Sequence, residues 1–345
     1  MKYLVFSDAH LHPWSEFATP DPKYLTSRLK LQIQAITDVL EQARKDKATV
    51  LFLGDLFHQR GSVKTQVFNL AYNLFAEYTD VPVIMIEGNH DNVTNSIHSA
   101  STLEPFTHLP NVTLIPEYDS FTVPNTQDTI TAVSYGDEYA HLKEFIKSNP
   151  ATILMAHLGV EGAMGAGNSK LEGAFTVSDL YPDNFGVVLL GHYHKSQYLA
   201  PNTLYVGNPV AQNFGDANMH KGYYSFETKD GNLDLSTLVF HDLHYPEFLA
   251  YEASELPENV DELIETNYVR VRGEGAIIDK AMKLDTEAPI KNIKIEKTFS
   301  ANKDTTRIGI KGDSTPIDIT KKWADEFQPD NTDTLVNIVT RAINE

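Results

Sequence analysis

Five short segments hold the residue types and spacings that can do chemistry: Asp8-Ala9-His10, Gly54-Asp55-Leu56-Phe57-His58, Gly88-Asn89-His90-Asp91, His157, and Gly191-His192-Tyr193-His194. Each follows an apolar run that reads as a strand, and loops at the carboxyl ends of strands in an α/β sheet converge on one crevice. Carboxylate, amide and imidazole donors without a thiolate suit manganese, iron or zinc. Two divalent ions roughly 3.5–4 Å apart need a shared carboxylate, for which Asp55 is the natural choice. Such a pair polarises a phosphoryl oxygen and activates the water that attacks it in line. Singly, the pieces are ordinary: Asp-x-His is often a surface pair, Gly-x-Asp a turn, and a lone histidine a core residue. Their ordered recurrence after strands is the signal.

The elements that must position these residues alternate in period. Strand-like runs fall at 3–6, 49–53, 81–86, 112–115, 130–133, 152–156, 187–190 and 203–206, with helical patterns over 28–47, 64–78 and 138–148. Several later links are too short for crossover helices, so the pattern predicts a mixed or two-sheet α/β sandwich and not a pure doubly wound fold. Glycines at 162, 165, 167 and 173 mark residues 159–174 as a flexible loop beside the site. After residue 246 the texture changes. An acidic stretch over 247–265 precedes a strand–helix–strand pattern at 267–272, 276–284 and 291–299. Two short amphipathic helices with a break at 328–331 then follow.

Composition narrows the class. A length of 345 residues suggests two domains, and 41% hydrophobic residues suffice for a real core. The absence of cysteine excludes disulfide scaffolds, thiolate zinc sites, iron–sulfur clusters and cysteine nucleophiles. No signal-peptide pattern or membrane-length apolar run is present, so a cytoplasmic protein is expected. The net charge of −19 argues against tight nucleic-acid binding by this chain alone. Residues 266–322 are the exception, with twelve basic against eight acidic side chains. There Arg270 and Arg272 share a strand face and, with Lys291, Lys294 and Lys297, can follow a phosphate backbone or simply solubilise a small domain.

The set Asp-x-His, Gly-Asp-x-x-His, Gly-Asn-His-Asp, His and Gly-His-x-His resembles the calcineurin-like metallophosphoesterase superfamily, over residues 1 to about 227. Within it the chain most resembles the nuclease subunit of SbcCD-type DNA-repair nucleases (the MR complex), including phage recombination endonucleases. The narrower likeness rests on His58, on Tyr205-Val206-Gly207-Asn208-Pro209 followed by Gly222-Tyr223-Tyr224-Ser225-Phe226, and on the cap and tail. Ala9 departs from it, since many bacterial relatives carry Trp there. The neighbouring His12 is expected behind the ligands or in solvent.

The resemblance implies an αββα sandwich over residues 1–245, a small α+β, DNA-contacting cap over 246–312, and a helical pair over 313–345 that docks an SbcC-type ATPase. It implies two divalent ions, manganese foremost. Asp8, His10, Asp55 and His194 would hold one, and Asp55, Asn89, His157 and His192 the other. His90 would serve as acid or transition-state stabiliser, Asp91 would orient its imidazole, and His58 would present the phosphate backbone. The implied activity is double-strand exonuclease and single-strand endonuclease cleavage of DNA by a homodimer. A phosphatase of phosphoproteins or small phosphodiesters, and a binding module without chemistry, are the alternatives.

Overall fold

In the strand Lys2–Phe6 the last four residues are buried, and the alternation of their side chains sets the layering. The computed structural model describes residues 1–165, 169–273, 292–297, 314–327 and 332–344. Leu4 and Phe6 point to one side, with Val50, Phe52, Val83 and Met85, and meet the apolar stripe Leu29, Ile33, Ile36, Leu40 and Ala43 of the helix Ser27–Asp46. Tyr3 and Val5 point the other way, with Leu51, Leu53, Ile84 and Ile86, against Ile130, Ile153, Met155, Val187 and Leu189 of a second sheet. The far face of that second sheet packs Leu154, Ala156, Val188 and Leu190 on Leu142 and Ile146 of the helix Tyr139–Ser148. The layers are therefore helix, sheet, sheet, helix. Central strands buried on both faces need continuous apolar runs, which is why they were legible.

In the first sheet Lys2–Phe6, Thr49–Phe52, Val83–Ile86 and Val112–Ile115 run parallel, while Gly222–Lys229 pairs antiparallel on the other side of Lys2–Phe6. In the second, Thr129–Val133, Ala151–His157, Phe185–Gly191 and Thr203–Tyr205 run parallel, flanked by antiparallel Tyr118–Thr122 and Gln197–Ala200. The two flanking strands escaped the sequence pattern because they are edge strands with polar, half-exposed side chains.

Beyond the sandwich, Phe248–Glu252, Tyr268–Gly273 and Ile293–Lys297 form a parallel three-stranded sheet. It shares a core with Val260 and Ile264 of the helix Val260–Thr266. The acidic segment thus carries a strand and a helix, with Phe248, Leu249, Ala253, Val260 and Ile264 buried. The helix expected over 276–284 and Lys291 lie outside the described residues. Helices Pro316–Phe327 and Thr332–Asn344 pack on each other. Trp323 and Phe327 are 40% and 52% exposed, and Ile338 58%. Among the described residues no helix is long and apolar enough to cross a membrane.

Because Leu189 is fully buried between the two sheets, Leu189→Ala is expected to cost about 2–5 kcal/mol in denaturant-unfolding free energy. A smaller loss would mean that the layers can collapse around the gap.

Candidate metal centre

The parallel strands of both sheets end on one rim, and the backbone continues in register beyond them. Asp8 N–H donates to the Gly54 carbonyl at 3.0 Å, His10 to Asp55 at 2.9 Å and Leu11 to Leu56 at 2.8 Å, so the first two site loops leave the sheet still paired. On the second sheet His157 lies beside Gly191 in the strand register. The chain turns sharply at this rim: Asp8, His10, Asp55 and His192 have φ of 54°, 44°, 59° and 104°. Left-handed backbone at non-glycine residues costs on the order of 1–3 kcal/mol each and clusters at functional sites. A Cβ on Gly88 would collide with the Asp55 carboxylate, and one on Gly191 with the Leu53 carbonyl and the Ser7 hydroxyl.

Asp55 Oδ2 stands 3.4 Å from His10 Nε2 and 3.5 Å from His157 Nε2, midway between two groups of donors. In the first group the Nε2 atoms of His10 and His194 face each other at 3.2 Å, and Asp8 Oδ1 is 3.8 Å from His10 Nε2. In the second, Asn89 Oδ1 is 3.2 Å from His157 Nε2 and 2.9 Å from His192 Nδ1. Asp8, His10 and His194 form one potential cation site, and Asp8, Asp55 and His157 another. The expected donors therefore all meet, although the chain brings them from positions 8 to 194.

Their chemistry fits divalent metal. His157 Nδ1–H donates to the Leu53 carbonyl at 2.6 Å, which turns Nε2 toward the oxygens of Asp55 and Asn89. A neutral ring would aim a lone pair at two acceptors, so the geometry requires positive charge, from an imidazolium or a cation. Burial opposes charging His157, yet Asp55 beside it prevails and pushes its pKa up to about 9. Burial likewise opposes ionising Asp55, but His157 and His10 hold its carboxyl well below the usual range. Burial keeps His10 neutral, and burial together with His157 lowers His192 to about 3, leaving both rings free to ligate.

His90 and His58 stand at the edge of this cluster. The His90 ring lies 4.6 Å from that of His10 and stacks on His58 at 5.5 Å. His90 Nδ1–H donates to the His58 carbonyl at 2.6 Å. Asp91 does not orient that imidazole, contrary to expectation. Its buried carboxylate accepts from the backbone N–H groups of Asp55 (2.7 Å), Leu56 (3.0 Å), Phe57 (3.3 Å) and Gly88 (3.0 Å). It fastens two site loops together, because four donors facing one pocket outcompete a single imidazole. Burial and then Asp55 push its pKa up to about 7. Among the described residues the buried Nδ1 of His58 has no partner, and its ring contacts Trp14 at 4.5 Å and His12 at 5.2 Å. Burial and then His12 lower its pKa to about 4, so His58 is a neutral hydrogen-bonding group at neutral pH. His12 sits behind it, with its N–H on Gln32 Oε1 at 3.1 Å.

Several supporting residues were missed. Asp216 Oδ1 accepts from His194 Nδ1 at 3.0 Å, and burial of His194 is outweighed by this carboxylate, raising its pKa. Asp216 is itself held by Asn208 Nδ2 at 3.0 Å and Gln212 N–H at 2.8 Å, with Lys221 at 3.5 Å. Gln32 Nε2 donates to the carbonyls of Ala9 and His10 at 3.1 and 2.9 Å. A polar residue on the apolar stripe of the first helix was the available signal for Gln32. Nothing in the sequence marks Asp216. Around the Gly-rich segment, Glu161 and Gly162 donate to Phe175 and Leu171 across the loop, and Tyr193 Oη–H donates to the Glu172 carbonyl, tying its two sides together.

In Asp91→Asn an amide NH₂ faces backbone donors in place of an oxygen. Each orphaned N–H is expected to cost about 1–3 kcal/mol in unfolding free energy. An unchanged denaturation midpoint would refute the fastening role.

A family model described as calcineurin-like phosphoesterase matches residues 1–196. Exonuclease subunit 1 of Enterobacteria phage T4 is 25% identical over 262 residues, 71% of either chain. Among solved structures, a dimetal phosphatase from Danio rerio superposes with a TM-score of 0.43 at 10% identity, over 70% of this chain and 98% of its own. A hypothetical protein from Thermus thermophilus superposes with a TM-score of 0.40 at 12% identity, over 70% of this chain and 99% of its own. The family match spans more than half of the sequence and takes in every donor from Asp8 to His194, so the chain belongs to the calcineurin-like phosphoesterase family.

Proposed function

We propose that this phosphoesterase is a metal-dependent DNA nuclease that cuts phosphodiester bonds, as an exonuclease on double strands and an endonuclease on single strands. One observation carries the reading: two groups of metal donors share Asp55, and a histidine pair flanks them. The likeness to a phage exonuclease subunit supports a nucleic-acid substrate. In this reading Asp8, His10, Asp55 and His194 hold one divalent ion, and Asp55, Asn89, His157 and His192 the other, with manganese the leading candidate. When bound, such a pair supplies a polarised phosphoryl group and an activated water. Asp216 fixes the ring of His194, and the Leu53 carbonyl that of His157, so each presents its other nitrogen to the ion.

With Nδ1–H held on the His58 carbonyl, His90 Nε2 is the ring atom that exchanges a proton with a substrate oxygen. His58 presents the adjoining phosphate through a hydrogen bond, its ring clamped between Trp14 and His90. The cap is proposed to touch DNA. Its cation row is partly neutralised, with Arg272 on Glu296 and Lys294 on Glu16, each at 2.8 Å. The remaining affinity is assigned to partners: a second copy of the chain, and an SbcC-type ATPase docking on the helices of residues 313–345. The proposed division is 1–245 for chemistry, 246–312 for the cap and 313–345 for docking.

His90→Gln is expected to lower manganese-dependent cleavage of linear double-stranded and circular single-stranded DNA by about 10²–10⁴-fold, with manganese affinity unchanged in calorimetry. Robust turnover of small phosphodiesters with no DNA cleavage, alone or with the ATPase, would replace the nuclease reading with a phosphatase. Trp323→Asp is expected to abolish co-purification with an SbcC-type ATPase and leave cleavage by the isolated subunit intact. Retained binding would move the dock elsewhere.

A further inference from the structure

Arg28 lies where its helix calls for an apolar residue, 5% exposed on the buried face. A buried guanidinium must find compensation. It donates to the carbonyls of Glu16, at 3.3 Å, and Gln212, and its charge lies over three rings: Trp14 at 5.6 Å, Phe248 at 4.9 Å and Tyr268 at 5.4 Å. Phe248 and Tyr268 are the opening residues of two paired cap strands. Trp14 is the ring that contacts His58. The carbonyl side leads straight to the metal centre. Gln212 Nε2 donates to the Asp8 carbonyl at 3.0 Å, and Gln212 N–H donates to Asp216, whose other oxygen holds His194.

We infer that Arg28 is a positioning residue that couples the seating of the cap to the geometry of the Asp8–His194 side of the metal centre. The inference rests on reading Asp8, His10 and His194 as metal ligands. Its physical basis is that the guanidinium has two kinds of partner on two different bodies. If the cap rings shift, the cation must follow them or lose their compensation in a site closed to water. Following them moves the Gln212 carbonyl, and with it the amide that holds Asp8 and the N–H that holds Asp216. One turn along, Gln32 grips Ala9 and His10, so the same helix holds the loop from its other side. Whatever displaces the cap, a DNA strand or a partner subunit, then changes how tightly the first ion is held.

The test is manganese titration calorimetry on the metal-free full-length protein and on Arg28→Met, Arg28→Lys, Phe248→Leu and the double variant Arg28→Met/Phe248→Leu. Thermal unfolding verifies that each variant is folded. Phe248→Leu keeps an apolar side chain in the cap and removes the ring under Arg28 together with its contacts to Phe17, Phe214 and Tyr268. Arg28→Met is expected to weaken one manganese site about tenfold, the loss of roughly one charged hydrogen bond, and Arg28→Lys to recover part of it. Phe248→Leu, remote from any ligand, is expected to weaken the same site about threefold, at the lower end of a cation–π contribution, and to add less than about twofold in the Arg28→Met background. Equal affinity in the unmodified protein and both Arg28 variants, or effects that simply multiply, would overturn the coupling and leave the metal centre standing. Absence of manganese binding to the unmodified protein would overturn the metal-centre reading, and the coupling with it.

Discussion

The carboxylate of Asp91 holds two loops of the rim together around Asp55. By accepting from the N–H groups of Asp55, Leu56, Phe57 and Gly88, it fixes the loop after Thr49–Phe52 against the loop after Val83–Ile86. Asp55 is then presented between the two donor groups, and the His90 N–H donates to Asp55 Oδ1 at 2.7 Å. Backbone donors at a turn are obligatory groups that must be satisfied when buried. A single acidic side chain meeting four of them does what a longer strand would do, while leaving the chain free to bend.

Electrostatics in the site follow from where the charges are confined. Asp8, Asp55, Asp91 and Asp216 are all buried, together with His10 and His157, none of them more than 3% exposed. Carboxylates placed this close and this deep repel one another and lose their hydration, which is tolerable only with cations or donors interleaved. The interleaving is done by imidazoles on one side, by the buried Lys221 near Asp216 and by backbone N–H groups on the other. The net charge of −19 is thus not an evenly spread surface property. Part of it is an interior concentration of acid built to hold positive charge.

Much of the sandwich was readable because its central strands are buried on both faces and so are continuously apolar, as in 152–156 and 187–190. The edge strands Tyr118–Thr122 and Gln197–Ala200 have one solvated side and left no such run. In the cap, Phe248 and Leu249 were hidden among carboxylates, because a small three-stranded sheet needs only a few apolar positions, Leu249 in its own core and Phe248 against Phe214. The candidate donors were readable because metal chemistry restricts residue type and strand ends restrict position. Their supporters were not. Gln212 and Arg28 reach the rim through backbone carbonyls, which place no demand on the partner's identity, and Asp216 meets the His194 ring from 22 positions away in the chain with no motif around it.

By itself the sequence picked out the candidate donors, the strands that carry them and the layered α/β class, since residue chemistry and burial period are local properties. Only the tertiary structure decided which nitrogen of His157, His90 and His194 faces the centre, because the Leu53 and His58 carbonyls and Asp216 claim the others. It also decided that Asp91 binds loops and not His90, and that Arg28 joins cap to rim. Those outcomes depend on competition among groups far apart in the sequence, which chain order does not encode.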